Sequence, residues 1–206
     1  MIVGGKSNLI GISGKIGSGK DTLGIVIKNC ADSGYEIKKF ADKLKDIACL
    51  LIGCTRRQLE NREFKETPLG EEWDNLTPRK LLQLLGTECG REIIHPNIWV
   101  NALFADYVCD NCGQQECPTD EEDTGQMIDS SFPNWIITDV RFPNEAQAIK
   151  DRGGIMIRIE RPGVESHCGG QHPSETALDN YNFDYVIENE GSIDELIQKI
   201  KQLKLV

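Results

Sequence analysis

The chain has 206 residues, 39% of them apolar, and a formal charge of −10, a size that suits one α/β domain with insertions and a substantial core. No apolar run approaches the roughly 18 to 20 residues of a membrane span, and Met1 to Leu9 has neither the basic start nor the long apolar core of a signal peptide, so a cytoplasmic protein without membrane contact is expected. The stretch from Glu92 to Val140 holds ten acidic residues and no Lys or Arg, leaving 23 charges of each sign elsewhere; this argues against direct nucleic-acid binding and leaves room for a local basic pocket that takes a small phosphorylated ligand.

Leu9 to Ser13 reads as the first strand and Lys20 to Asp32 as a helix stopped by Ser33-Gly34. Between them lies Gly14-Lys15-Ile16-Gly17-Ser18-Gly19-Lys20-Asp21-Thr22. Strand, glycine loop and helix in this order make a phosphate-binding loop, with backbone N–H groups converging on phosphate oxygens and Lys20 reaching the outer phosphates at a helix N-terminus. The residue after Lys20 is Asp21, where Ser or Thr usually offers its hydroxyl to magnesium. The hydroxyl arrives one step later at Thr22, a shift that resembles nucleoside monophosphate kinases. The ATP-binding set is therefore Gly14, Ile16, Gly17, Ser18, Gly19, Lys20, Asp21 and Thr22.

The next strand is expected from Tyr35 to Phe40. Asp42 is placed to cap a helix over Lys43 to Ile52, Thr55 another through Arg56 to Glu66, and Thr77-Pro78 a third from Arg79 to Cys89. Leu81, Leu82, Leu84 and Leu85 form an apolar face, and Asn97 to Val108 a further helix with Trp99 beside its apolar face. Residues 109–134, rich in Asp, Glu, Gly and Ser, read as an acidic insert rather than a domain boundary. Within it, Cys109, Cys112 and Cys117 are spaced C-x-x-C-G-x-x-x-C. They are a candidate structural zinc cluster with His167, Cys168 or a residue of the same insert as a fourth ligand, or else reduced surface thiols, since the second pair of a full zinc motif is missing nearby.

Regular pattern resumes at Trp135 to Asp139, a buried parallel strand ending in a carboxylate. A helix from Pro143 to Arg152, a strand from Ile155 to Ile159, a Gly-rich lid-like crossing over 161–173, a last strand from Tyr185 to Ile187 and a helix from Ser192 to Leu203 complete the chain. Alternating strands and helices predict a single doubly wound, mostly parallel sheet of about five strands, with ligands outside the carboxyl ends of the strands.

Four further stretches carry chemistry: Phe40-Ala41-Asp42-Lys43-Leu44-Lys45, Leu85-Gly86-Thr87-Glu88 with Arg91 and Trp99, Asp139-Val140-Arg141-Phe142-Pro143-Asn144-Glu145, and His172-Pro173-Ser174-Glu175. In that order, with the phosphate-binding loop, they resemble the deoxynucleoside monophosphate kinases of bacteriophages over roughly Leu9 to Leu203, excluding the insert. Each piece alone is shared with relatives such as dephospho-coenzyme A kinase. The resemblance implies ATP, magnesium, a deoxynucleoside monophosphate acceptor, the host cytoplasm as location, and allows a homodimer.

An acceptor phosphate is already an anionic nucleophile, so cations matter more than a strong base. Lys20 serves the donor phosphates. Arg91 and Arg141 clamp the acceptor phosphate, and Arg158 or Arg161 swings in from the crossing toward the transferring group. Asp139 and Thr22 are the leading magnesium ligands, with Asp21 either a third or a helix N-terminal acid. Acceptor contacts are assigned to Phe40, Asp42, Lys45, Glu88, Trp99, Asn144, His172 and Glu175, and Asn189-Glu190-Gly191-Ser192 is either a turn beside the ATP adenine or a plain turn and helix cap. Trp99 and Phe40 are open to two roles, base stacking or packing. Two alternatives stand beside the kinase: a small-metabolite kinase such as dephospho-coenzyme A kinase, and a non-catalytic nucleotide sensor or interaction protein.

Overall fold

In a computed structural model that describes residues 7–31, 34–115, 131–163 and 176–203, the chain forms two compact units, Met1–Lys39 with Ala105–Val206 and Phe40–Phe104. The first carries five strands: β1 (Leu9–Ser13), β2 (Glu36–Lys38), β3 (Trp135–Ile137), β4 (Ile155–Glu160) and β5 (Tyr185–Glu188). They form one sheet in the order β2-β3-β1-β4-β5, every neighbouring pair parallel. β1, β3 and most of β4 are buried, so they read as largely apolar runs rather than alternating ones, with Arg158 the one charged residue inside the buried part of β4.

On one face, Ile10, Ile12, Ile136, Ile157 and Ile159 pack with Leu23, Val26 and Ile27 of α1 (Lys20–Cys30) and with Leu196 and Ile200 of the last helix (Ile193–Gln202). The helix residues recur at the three- and four-residue intervals that put them on one side of each helix. Gly11 points the other way, toward Met156 and toward Ile149 of the helix Pro143–Asp151. Helices therefore cover both faces of the sheet, the doubly wound class expected from the sequence.

The strand register decides what can meet. Ser13 lies opposite Arg158, Ile137 opposite both Gly11 and Lys38, and Glu160 opposite Glu188. The residues leaving the five strands, Gly14, Lys39, Thr138, Arg161 and Asn189, thus emerge at one carboxyl edge, where open α/β sheets bind ligands. β2 and β3 are shorter than the expected Tyr35–Phe40 and Trp135–Asp139. β3 stops at Ile137, and the chain bends so that Val140 N donates to Ile12 O at 3.2 Å.

The second unit is helical. α2 (Asp42–Ile52) is followed by α3 (Arg56–Glu60), α4 (Arg62–Glu66), a 3₁₀ turn at Glu71–Trp73 and α5 (Pro78–Gln83); a π-helical stretch (Leu84–Ile94) and α6 (Ile98–Phe104) complete it. Thr55 and Thr77 cap α3 and α5 as expected, accepting from Gln58 N and Lys80 N. The single helix expected over Arg56–Glu66 is two, because Asn61 adopts an extended ψ of 131° and caps the second, accepting from Phe64 N at 2.9 Å. Asp42 is not a cap. Ala41 occupies that position, and Asp42 is the first helical residue.

Ala48, Leu59 and Leu81 form a small core, with Leu82, Leu85 and Phe64 packed against it. The expected helix to Cys89 widens to π geometry after Gln83, and the one expected over Asn97 to Val108 closes at Phe104. Cys109 is buried and Cys112 exposed, while Cys117, His167 and Cys168 lie outside the described residues. Among the described residues no group of three or more His, Cys, Asp or Glu side chains is arranged to hold a metal, so the zinc cluster gains no support. No described helix is long and apolar enough to cross a membrane.

Candidate active site

The loop between β1 and α1 is built by its glycines. Gly17 and Gly19 have φ of 81° and 99°, a region that costs little only for glycine. At Gly14 the constraint is space: a Cβ there would stand 2.5 Å from the backbone oxygen of Ile159 and 2.5 Å from Ser18 Oγ. The loop thus runs against the end of β4 with no room for a side chain. Lys20 Nζ donates to Gly14 O at 2.6 Å and to Lys15 O at 2.8 Å, so the ammonium is folded over the loop's own carbonyls. Ile16 is 63% exposed, whereas Ser18 is buried, and its hydroxyl is the one buried side-chain oxygen or nitrogen among the described residues without a partner. A glycine cradle, an ammonium folded across it, an unpartnered hydroxyl and a helix N-terminus together fit a polyphosphate.

Beside the loop, a pocket of about 290 Å³ is lined by Lys15, Ser18, Arg158, Glu160, Arg161 and Glu188, with Ile159 and Pro162. Arg161 is exposed just past β4 and borders the same pocket as Ser18. Arg158 is placed differently from expectation. It is a strand residue, 7% exposed, with Nη2 on Asp179 Oδ1 at 3.1 Å, Nη1 on Ser13 Oγ at 3.4 Å and its guanidinium 5.6 Å from the centre of the Phe183 ring. A side chain held by a sheet register, a carboxylate and an aromatic face does not swing; it forms a fixed wall.

Asp21, in the first turn of α1, accepts from Thr138 Oγ1 at 2.8 Å and pairs with Lys39 Nζ at 2.8 Å through the same oxygen. Burial pushes its carboxyl up, but the hydrogen bonds from Lys39 and Thr138 and the charges of Lys39 and Lys20 outweigh that and hold it below the usual carboxylate range. Thr22 is exposed one residue on, and Asp139 is half-buried beyond β3. Hydroxyl and carboxylate oxygens at one sheet edge are a hard donor set that suits magnesium. Lys39, Thr138 and Lys15 escaped the sequence reading. A lysine ending a short strand carries no motif, and only the β2-β3-β1 order brings it to Asp21.

Arg141 and Asn144 flank the start of the helix Pro143–Asp151 and are half-buried. The turn there is pinned by Glu145, 1% exposed, whose Oε2 accepts from Arg141 N at 2.8 Å and Phe142 N at 3.1 Å. That buried carboxylate sets the backbone from which Arg141 projects. Asn189, expected in a turn next to the adenine, donates from Nδ2 to Ser18 O at 2.9 Å, inside the phosphate-binding loop.

The remaining acceptor candidates belong to the helical unit. Phe40 is 3% exposed and meets Phe104 edge-on, ring centres 6.1 Å apart. Asp42 Oδ1 accepts from Arg56 Nη2 at 2.8 Å, and Lys45 Nζ donates to Glu60 Oε1 at 2.7 Å, so both stand in one ion-pair cluster around Arg56. Glu88 pairs with Lys80 at 3.1 Å, both about half exposed, a contact of small energetic weight. Arg91 is half-buried in the π-helical stretch. His172 and Glu175 lie outside the described residues.

Trp99 is 6% exposed, and its Nε1 donates to Gly86 O at 2.8 Å. A Cβ on Gly90 would stand 3.0 Å from its ring and 2.5 Å from Leu85 O. Of its two expected roles, packing is the one this geometry serves: the indole closes the widened turn between Gly86 and Gly90. π-Helical turns are rare and mostly single, and here the indole N–H gives the Gly86 carbonyl a partner from outside the stretch. Trp99→Phe keeps the ring and removes the donor, leaving a carbonyl short of a partner. A loss of about 1–2 kcal/mol in unfolding free energy is expected, measured by urea denaturation, whereas an unchanged midpoint would show that the indole N–H is not what closes the turn.

Comparison with known proteins decides among P-loop kinases. The family model for deoxynucleotide monophosphate kinase matches residues 54–200. The chain belongs to the deoxynucleotide monophosphate kinase family. The matched region begins after the glycine loop, so the loop and the family match are separate observations. Among relatives, a protein of Acanthamoeba polyphaga mimivirus named as a deoxynucleotide monophosphate kinase is 33% identical over 201 residues, covering 93% of each chain. The deoxynucleoside-5′-monophosphate kinase of Escherichia phage T5 is 25% identical over 233 residues, covering 84% of this chain and 85% of its own. The deoxynucleotide monophosphate kinase of Escherichia phage RB69 is 28% identical over 130 residues, 63% of this chain and 46% of its own. In this deoxynucleotide monophosphate kinase family member, the Asp139–Glu145 stretch and the π-helical stretch both fall inside the matched region.

Proposed function

We propose that the chain transfers the γ-phosphoryl group of ATP to a deoxynucleoside monophosphate in the host cytoplasm, yielding ADP and the deoxynucleoside diphosphate. The observation that carries this is a phosphate-binding loop with Lys20 folded across it, in a chain whose remainder matches the family. An oxygen of the acceptor phosphate attacks the γ-phosphorus. The bond from that phosphorus to the β,γ-bridging oxygen breaks, and ADP leaves with the electron pair. The attacking oxygen is already anionic at neutral pH, so no general base is required, and catalysis rests on positioning and charge.

On the donor side, the backbone N–H groups of 14–19 and Lys20 hold the β- and γ-phosphates, and Arg161 with Lys15 supplies positive charge along the adjoining pocket. Thr22, Asp139 and Asp21 are the residues that would hold magnesium, which when bound neutralises phosphate charge. Lys39 and Thr138 keep Asp21 ionised and oriented for that task. Arg141 and Arg91 are assigned to the acceptor phosphate. Glu145 supports this for Arg141 by fixing its backbone, and Arg91 lies within the region that matches the family. Such a role favours arginine, whose planar fork matches phosphate oxygens in pairs.

The test is ADP release from ATP and magnesium with each deoxynucleoside monophosphate, the ribose counterparts and dephospho-coenzyme A as acceptors. Turnover that depends on a deoxynucleoside monophosphate is the expected result. Turnover with dephospho-coenzyme A alone would replace the acceptor. Silence with every acceptor despite ATP binding would replace the kinase with a nucleotide sensor.

A further inference from the structure

We infer that Asn189 is a positioning residue of the phosphate-binding loop, acting on bound polyphosphate through the Ser18–Gly19 peptide rather than by touching the nucleotide base. The inference rests on the donor-site reading given above and assigns that site a component from the far end of the chain. Asn189 lies 171 residues from Ser18 in sequence, yet its Nδ2 stands 2.9 Å from Ser18 O. The amide is oriented by its partner, because the alternative rotamer would set its carbonyl oxygen against another carbonyl oxygen. Asn189 is itself fixed: its backbone N–H donates to Glu160 O at 2.7 Å, prolonging the β4–β5 ladder by one bond. Three residues later Ser192 caps the last helix, accepting from Glu195 N while Glu195 accepts from Ser192 N.

The consequence follows from peptide geometry. In a trans peptide the C=O of one residue and the N–H of the next point in opposite directions. Holding Ser18 O toward Asn189 therefore turns the Gly19 N–H away from Asn189. Gly19 sits at φ 99°, where it can also reach other conformations at little cost, so the peptide before it needs an outside restraint to keep one orientation. A Cβ on Gly19 would stand 2.7 Å from Asn189 Nδ2, so the amide lies close against Gly19, where the φ of 99° already calls for glycine. Ser18, whose carbonyl is held, also carries the unpartnered buried hydroxyl. A donor released from a preset direction must be reordered each time phosphate binds, and that lowers affinity for phosphate without altering any contact to the base.

Binding of ADP and of inorganic tripolyphosphate, each with magnesium, is to be measured by calorimetry on the wild type, Asn189→Ala and Asn189→Asp. Asn189→Asp preserves shape but sets a carboxylate against the Ser18 carbonyl, so it tests the donor even where Asn189→Ala perturbs packing. Both variants are expected to keep the wild-type far-ultraviolet circular dichroism and to lose about fivefold to tenfold in affinity, the worth of one hydrogen bond, and to lose it equally for ADP and tripolyphosphate. Loss for ADP with tripolyphosphate unchanged would mean contact with the nucleoside and overturn the inference, as would wild-type affinity for both ligands. A wild type that binds neither ligand would overturn the donor-site reading itself and the inference with it, a result distinct from any difference between variants.

Discussion

Lys20→Ala is expected to lower kcat by at least about a hundredfold, the usual loss when one preorganised charge on a developing anion is removed, while the fold survives. The two effects separate because of where the side chain sits. Its ammonium rests on two loop carbonyls, 2.6 and 2.8 Å away, at the first residue of α1, and stands outside both hydrophobic cores. Alanine is at least as good a helix former there, so thermal unfolding should shift by no more than about 3 °C, the equivalent of roughly 1 kcal/mol in a chain of this size. When phosphate enters, the ammonium can exchange loop carbonyls for phosphate oxygens, a stronger partner because both groups are charged. Lys20→Arg keeps the charge but not the length or shape, and should recover only part of the rate. Steady-state kinetics beside a melting curve reads both quantities, and near-normal turnover in Lys20→Ala would remove the loop from the mechanism.

Gly14→Ala should be nearly as damaging, for a different reason. The added methyl carbon would lie 2.5 Å from Ile159 O, and that oxygen belongs to a strand held between β1 and β5. β4 is buried at Met156 through Ile159 and has little freedom to retreat, so the loop must move instead. Overpacking of this kind costs about 1–3 kcal/mol, or a fall in midpoint of roughly 3 to 10 °C. The displaced loop should bind ADP more than about tenfold more weakly, since every N–H donor in the cradle is shifted together. Gly34→Asn is the control. Its φ is 64°, none of the described residues lies within 4 Å of the added atom, and asparagine tolerates that conformation, so it should behave as wild type. Gly14→Ala with normal stability and normal ADP affinity would mean that the loop closes against β4 less tightly than the 2.5 Å approach indicates.

Much of the molecule was legible in the order of its residues. Apolar runs bounded by glycine and proline identified β1, β3 and β4 as buried parallel strands, and amphipathic spacing located α1 and the last helix. The loop announced itself because glycine spacing, a lysine and a helix start are local requirements, met by neighbours in sequence. Thr55 and Thr77 were readable as caps for the same reason: a cap is a bond to a residue three positions away.

What sequence could not reveal was every decision made between segments. Asp21 was open between metal ligand and helix-end acid, and its pairing with Lys39 and Thr138 exists only because β2 and β3 end side by side. Arg158 read as a mobile cation and is a wall, since the β1–β4 register sets it opposite Ser13 and the tertiary fold brings Asp179 and Phe183 to it. Asn189 looked like a turn residue, yet folding brings its amide to the Ser18 carbonyl. The helix after Gln83 takes π geometry, and Trp99, from the next helix, donates to the Gly86 carbonyl within it, a contact no local pattern announces. Local propensity and periodicity act over a few residues, so they mark where a strand, a cap or a glycine loop must be; which side chains then share a hydrogen bond or a charge depends on the packing of distant segments, and only the folded chain sets that.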